Sequence, residues 1–574
     1  MMRYLLPALL LAGCAADTAP VATAPAAPAE ALAISTTPAP EAGVVAAANP
    51  LAVDAGLEVL RRGGSAVDAA ATVQFALGLV EPQSSGLGGG AFMVVYDSKT
   101  GEVWTYDGRE TAPSDVDSKL FQNEDGEPVR YLEGIVSGRS TGAPGAVAML
   151  GLAHEDYGLL PWSELVDPVL PLAKDGFAVS PRLASLLQRA ERFNLPNDGE
   201  AGALYYPDGE PLEEGELLMN PAYASTLRAI AEDSRAMLQG PVAESIAAKV
   251  REEPRPGTLS VADMAAYQPV KKEALCVPYR DVTVCGAQPP ASGTTAIGMA
   301  LGILETFDMS ALGPTPRGWH VFIEASRLAY ADRDAYLSAP ESMTVTTDAL
   351  LDPDRLRERA RLIKTDSVMT EARADSFGAA AEDATPDSPG TSHFTVVDRN
   401  GLVVSMTTTV ESVFGSQRMV GGFILNNQLT DFSFRDTDDA GTPIPNRVAP
   451  GKRPRSSMSP TIVFDSDGEW LLTTGSPGGN SIIAYTLKTL VGVVDWGLEP
   501  QAAADLPNVI ARGDTVRIEE GAMSEATVEA LREMGHEVAL SEGEISGIHM
   551  LMRRDDGTVV GAADSRREGK VGRE

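Results

Sequence analysis

Pro389-Gly390-Thr391-Ser392-His393 closes a stretch, AAAEDATPDSP over residues 379–389, that has no hydrophobic periodicity and no means of burying itself. Directly after it, His393-Phe-Thr-Val-Val-Asp398 and Leu402–Val410 read as two β-branched strands joined at Arg399-Asn-Gly401. A threonine therefore stands where a soft linker enters a buried sheet. Its hydroxyl is a weak nucleophile at its free pKa, and the chain offers no convincing Ser/His/Asp set to activate it. Scission of Gly390–Thr391 would free the Thr391 α-amine to serve as base for its own hydroxyl. The segment alone leaves this reading open beside a plainer one, a threonine that merely opens a hairpin.

The bulk properties narrow the field. The chain has 574 residues, 44% of them hydrophobic and 22% charged, the composition of a folded globular protein. Length alone suggests three or four domains, a prior that large α/β enzymes break. A net charge of −34 argues against a nucleic-acid partner, because phosphate binding needs a basic face. An anionic substrate would need a locally basic pocket against that field.

The N-terminus reads as an address. Arg3 precedes the apolar run Leu5–Ala12, too short to span a bilayer, and Leu11-Ala-Gly-Cys14 resembles a bacterial lipobox with Cys14 as the lipidated residue. A plain secretory signal with an incidental cysteine is the alternative. Residues 1–13 are thus expected to be a signal peptide and 14–43, rich in Ala, Pro and Thr, a disordered tether. This implies a periplasmic protein held to the membrane by lipid only, or otherwise a secreted one. Cys276 and Cys285 flank a tight turn at Arg280-Asp281 that would set them opposite each other; a disulfide and two separate buried thiols both fit. No Cys/His cluster exists, so neither a metal nor another cofactor is expected.

Along the chain, Asn49–Leu79 reads as two helices split at Arg61-Arg-Gly-Gly64, the second opened by Ser65 and Asp68. Glu81-Pro-Gln-Ser-Ser-Gly-Leu-Gly-Gly-Gly90 superficially matches a dinucleotide fingerprint, yet a strand follows where a helix must start. Close backbone packing is the better role for those glycines. Residues 142–375 read as mostly helical around a hairpin near 274–286, and strands dominate from 391 to Thr473. Strands apolar on both faces, such as Thr461-Ile-Val-Phe464, imply sheets covered on both sides.

Several polar clusters ask for a chemical role. Arg109 follows a strand pair and could hold a carboxylate through its forked guanidinium. Asn426-Asn-Gln428-Leu-Thr-Asp431 offers an amide and an acid for an ammonium, although such turns need no ligand. Ser456 and Ser457 precede a strand, and Gly475-Ser-Pro-Gly478-Gly479 lies between a strand and a helix, where free N–H groups could bind an oxyanion.

Together with Pro-Gly-Thr391-Ser-His393, Leu425-Asn-Asn-Gln428, Arg453-Pro-Arg-Ser-Ser-Met-Ser-Pro460, Arg327-Leu-Ala-Tyr-Ala-Asp-Arg333 and Gly561-Ala-Ala-Asp-Ser-Arg566, these clusters resemble the γ-glutamyltransferase family of N-terminal-nucleophile hydrolases, from about residue 44 to the C-terminus. The resemblance implies an α/β protein, a four-layer αββα sandwich forming one globular unit. It would be a precursor cut between Gly390 and Thr391 into a heterodimer of a large subunit, 44–390, and a small catalytic subunit, 391–574. Thr391 would be the nucleophile, with Thr409 supporting it and Gly478 and Gly479 forming the oxyanion hole. Arg109, Ser456 and Ser457 would hold the α-carboxylate of a γ-glutamyl donor such as glutathione, and Gln428 and Asp431 its ammonium. Glu411 stands where well-studied members often carry Asn, and it could contact the ammonium while adding charge. The segment between Asp431 and Ser456 looks short and lacks a lid's aromatic gate, which keeps a glutaryl-cephalosporin-acylase type of activity open. A non-catalytic binding lipoprotein is the remaining, more distant alternative.

Overall fold

The computed structural model describes residues 34–191, 193–378, 381, 383, 390–542 and 546–574. The proposed signal peptide and Cys14 lie outside them. Of the stretch read as a disordered tether, residues 34–43 are described, and they lie against the body. The Thr37 hydroxyl bonds Tyr96 Oη at 2.8 Å and accepts the Trp470 N–H, also at 2.8 Å.

Two sheets carry the architecture, built from strands β1 (Val44–Ala47), β2 (Gly90–Asp97), β3 (Glu102–Asp107), β4 (Val270–Glu273), β5 (Leu275–Tyr279), β6 (Val282–Gly286), β7 (Gly390–Val397), β8 (Leu402–Glu411), β9 (Thr461–Phe464), β10 (Trp470–Thr474), β11 (His549–Arg553), β12 (Val559–Ala563) and β13 (Lys570–Arg573). The first sheet runs β13-β1-β7-β8-β2-β3-β4 and the second β12-β11-β10-β9-β6-β5. Helices α1 (Pro50–Arg61), α2 (Ala66–Val80) and α3 (Ala146–Tyr157) cover the first sheet; α4 (Gly293–Leu304), α5 (Pro316–Tyr336) and α6 (Ile482–Val494) cover the second. The result is the helix–sheet–sheet–helix sandwich. Cys276 and Cys285 face each other in the β5–β6 register and are joined as a disulfide.

Strand alternation decides which face each residue takes. Along β7 and β8, Phe394, Val396, Val404 and Met406 pack under the helices, whereas Val397 and Val403 join Val94, Tyr96, Ile462 and Trp470 between the sheets. Thr391, His393, Thr407 and Thr409 share that inter-sheet face at the other end of the strands. There the dry core gives way to hydroxyls: Thr395 Oγ1 meets Thr473 Oγ1 at 2.7 Å, and His393 Nδ1 meets Thr407 Oγ1 at 2.9 Å. Helix α2 is buried along its whole length, which explains its Ala-rich, all-round apolar sequence. A capping box between Ser65 and Asp68 opens it. The glycine run that leads into β2 serves close approach. A Cβ on Gly89 would lie 2.0 Å from the Thr409 carbonyl oxygen.

Candidate active site

Thr391 lies directly across from Thr409 in the β7–β8 register, and the chain continues through Gly390 as the first residue of β7. Thr409 Oγ1 donates to the Gly390 carbonyl at 2.7 Å and stands 3.1 Å from Thr391 Oγ1. A threonine hydroxyl has one proton. Since that of Thr409 goes to Gly390, Thr391 is the donor in the Thr391–Thr409 pair. Thr409 also accepts the Glu411 N–H at 2.8 Å. A single hydroxyl thus polarises the carbonyl before Thr391 and orients the Thr391 side chain.

A bulge between Thr409 and Glu411 places Glu411 opposite Gly390, with φ at +81°. Such a conformation is strained for glutamate, and its surroundings hold it there. Tyr131 Oη (2.9 Å), Ser412 Oγ (2.6 Å) and Asn427 Nδ2 all donate to its carboxylate. Burial, reinforced by Asp431, pushes its carboxyl up to about 8.

Arg109 is fully buried and bonds Asp431 Oδ2 at 2.5 Å through Nη2, which also donates to the Arg455 carbonyl at 2.7 Å. Its Nη1 has no hydrogen-bond partner among the described residues and stands 3.9 Å from Glu110 Oε2. Gln428 Nε2 donates to Asp431 Oδ2 at 2.8 Å, and Gln428 Oε1 is likewise buried and unpaired. Next to Arg109, the Glu110 carboxylate has no hydrogen-bond partner among the described residues, its Oε2 lying 3.9 Å from Arg109 Nη1, and burial pushes it up to about 8. Opposite this acidic and amide wall, Ser457 Oγ accepts from Arg333 Nη2 at 2.5 Å and donates to Asn480 Oδ1 at 2.8 Å. Burial, with Arg455 nearby, lowers Arg333 to about 10, so it stays charged at neutral pH.

Thr391, Thr409, Glu411, Gln428, Asp431, Arg109, Ser456, Ser457 and Gly479 line one cleft, drawn together from both sides of the Gly390–Thr391 bond. Gly479 begins the turn that opens α6, where helix N–H groups lack intrahelical partners. Gly478, φ +134°, shapes the loop: a Cβ there would lie 2.5 Å from the Tyr485 ring. Arg333, Arg455, Met458, Asn480 and Ile482 line the same cleft without having been singled out as site residues. Arg333 occurs in a quoted motif, but only the fold turns the last part of α5 toward Ser457. His393 also does more than continue a strand. Its ring packs on Gly475, where a Cβ would lie 2.4 Å from Cε1. Burial and His549 hold it well below the usual imidazole range, hence neutral.

Two residues of the stretch before Thr391 differ from the sequence expectation. Ala381 and Asp383 are buried, because Asp383 pairs with Arg455 at 2.9 Å instead of facing solvent. The aromatic residues after Asp431 are accounted for too: Phe434 stacks on Phe121 at 4.5 Å and packs with Phe432 in a small side cluster. Among the described residues no group of His, Cys, Asp and Glu has the form of a metal site, and no helix is long and apolar enough to cross a membrane.

The profile of the gamma-glutamyltranspeptidase family matches residues 52–573. Glutathione hydrolase proenzyme of Escherichia coli K12 is 36% identical over 529 residues, covering 90% of this chain and 89% of that one. The proenzyme of the same name from Bacillus subtilis 168 is 34% identical over 540 residues, covering 91% and 90%. Among solved structures, a cephalosporin acylase from Bacillus halodurans superposes with a TM-score of 0.80 at 25% identity, covering 97% of this chain and 98% of that one. With the αββα sandwich, the paired threonines and this agreement along nearly its whole length, the chain belongs to the gamma-glutamyltranspeptidase family.

Proposed function

We propose that the chain is a γ-glutamyltransferase with glutathione hydrolase activity, made as a precursor that cuts itself between Gly390 and Thr391. One observation carries the choice of donor. Among the described residues, Arg109 Nη1, a buried donor with only the Glu110 carboxylate 3.9 Å away, and Gln428 Oε1, a buried acceptor, lack a hydrogen-bond partner, and both residues line the cleft. An α-amino-acid zwitterion satisfies both, its carboxylate at Arg109 with Ser456 and Ser457, its ammonium at Gln428, Asp431 and Glu411. Unpaired buried polar groups are costly, so such a ligand gains by filling them.

In the first step Thr391 Oγ attacks the Gly390 carbonyl carbon, which Thr409 polarises. The peptide C–N bond breaks, the hydroxyl proton ends on the freed Thr391 amine, and water hydrolyses the resulting ester. In turnover that amine takes the Thr391 hydroxyl proton as Oγ attacks the γ-carbonyl of the donor. Backbone N–H groups at Gly478 and Gly479 stabilise the oxyanion. The proton passes to the leaving amine as its C–N bond breaks. Water or an acceptor amine then attacks the Thr391 ester, taking the acyl group and returning the hydroxyl.

A second reading has its own support. Because Arg109 already pairs with Asp431, an acyl group without the ammonium, such as glutaryl, leaves Asp431 compensated. Comparing turnover of a γ-glutamyl anilide with that of the glutaryl anilide separates the two. Faster hydrolysis of the glutaryl compound overturns the first reading. For the whole protein, the Arg3, Leu5–Ala12 and Cys14 pattern supports a lipid-anchored periplasmic precursor. Mass spectrometry of the mature N-terminus tests it, and a first residue other than a lipidated Cys14 counts against the anchor.

A further inference from the structure

We propose that Asp383, eight residues before Thr391 in the chain, is a positioning residue for the donor, clamping the ammonium wall of the cleft to its carboxylate wall. The inference rests on the proposed γ-glutamyl site. Asp383 is 1% exposed. Its Oδ2 accepts from Asn446 Nδ2 at 2.7 Å and from Arg455 Nη2 at 2.9 Å. The Asn446 arm reaches Asp431, because the same Nδ2 donates to the Asp431 carbonyl at 2.7 Å. The Arg455 arm reaches Arg109, whose Nη2 donates to the Arg455 carbonyl, and runs directly into Ser456 and Ser457. Asn446 Oδ1 closes the figure by accepting the Arg455 N–H at 3.0 Å.

The electrostatics give the clamp its direction. Arg333, Arg455 and Arg512 surround Asp334 and Asp383: Asp334 pairs with Arg333 at 2.6 Å, Arg512 at 2.7 Å and Arg455 at 3.5 Å. Cations outnumber anions behind the serines, since Lys452 also lies near enough to interact with Asp383 and Arg455. Without Asp383, Arg455 keeps, among the described residues, only the more distant Asp334 as an ion partner. Arg455 Nη1 stays held by the carbonyls of Arg333 and Leu337 at 3.2 and 3.3 Å, so the strain of an Nη2 end left without its close anion falls on the adjoining Ser456 and Ser457. Asp383 therefore acts on recognition through Asn446 and Arg455, without touching the donor itself. Its backbone is anchored as well: its N–H donates to the Asp334 carbonyl at 3.2 Å, and its carbonyl accepts from Arg512 Nη2 at 3.3 Å.

The test uses full-length protein, following self-cleavage on a gel and hydrolysis of a γ-glutamyl anilide by the cut fraction. Asp383→Ala is expected to raise KM about tenfold or more with kcat held within about threefold, and Asp383→Glu to recover most of the loss. Should Asp383→Ala fail to fold, the isosteric Asp383→Asn is read the same way. An unchanged KM in any cut Ala or Asn variant overturns the proposal. So does a set of variants that fold with unaltered melting temperature yet stay uncut, for Asp383 then serves the scission instead. Wild-type protein that cuts itself but ignores the γ-glutamyl anilide speaks against the proposed function, separately from this inference.

Discussion

Arg109 Nη2 and Asp431 Oδ2 are bonded at 2.5 Å across 322 residues of sequence, so the groups assigned to opposite charges of the donor hold each other in the ligand-free cleft. The donor must enter between a cation and an anion that are already partly satisfied. That tempers affinity but punishes any donor lacking one of the two charges. Arg109→Lys keeps the charge and loses the fork. It is expected to lower kcat/KM by about 2–3 kcal/mol, roughly 30- to 150-fold, chiefly through KM. Steady-state kinetics on a γ-glutamyl anilide check this.

Thr409 joins the scissile carbonyl to the nucleophile. Thr409→Ala removes the polarising hydrogen bond to Gly390 and is expected to slow self-cleavage by roughly 100- to 1,000-fold. Thr409→Ser, which keeps the hydroxyl, stays within about tenfold of wild type. Thr391→Ala yields a chain that stays whole. Time courses of the two fragments on a denaturing gel distinguish the three.

Glu411 ties recognition to pH. Its folded-state value, about 8, lies above the ordinary value of 4.5, so between those limits the native protein holds a proton that the unfolded chain releases. The contribution to stability is whole below about 4.5, declines as pH rises, and is gone above about 8. Glu411→Gln is expected to flatten the fall in melting temperature across that window. In wild-type protein KM for an ammonium-bearing donor falls as pH approaches 8, because Glu411 becomes anionic. The glutamine variant loses that trend, and a variant that keeps it refutes the assignment.

Gly475 separates β10 from the oxyanion loop and has room for no side chain. Gly475→Ala sets a methyl against the His393 ring and displaces either the loop or the strand that carries Thr391. The expected signature is a fall in kcat of roughly 100-fold with KM changed by less than about threefold, since the damage falls on oxyanion stabilisation. A loss confined to KM would show that the loop tolerates the methyl.

The two helices at 50–80, the strands around Thr391 and the dinucleotide-like glycines were readable locally, because periodicity and turn chemistry act over a few residues. The fate of Asp383 was not. Ala-, Asp- and Pro-rich sequence predicts exposure, and only Arg455, 72 residues downstream, makes burying that carboxylate favourable. Arg333 escaped for a related reason: a helix presents a side chain to whatever packs there, and its own sequence does not name Ser457 as the neighbour.

What the sequence by itself determined is the alternation along β7 and β8 and the residue types supplied to the site. Two-residue periodicity puts Thr391 and His393 on one face of β7 and Thr407 and Thr409 on one face of β8, and the motifs bring Arg, Asp, Ser and Gly in a recognisable order. Tertiary structure alone decided the register that sets Thr409 opposite Thr391, the bulge that turns Glu411 toward Gly390, and the pairing of Arg109 with Asp431. The Arg109–Asp431 pairing spans 322 residues, and the register and the bulge join two neighbouring strands at positions 18 or more residues apart. Their partners are selected by packing, by burial and by the cost of leaving a charge unpaired, none of which a local stretch of sequence encodes.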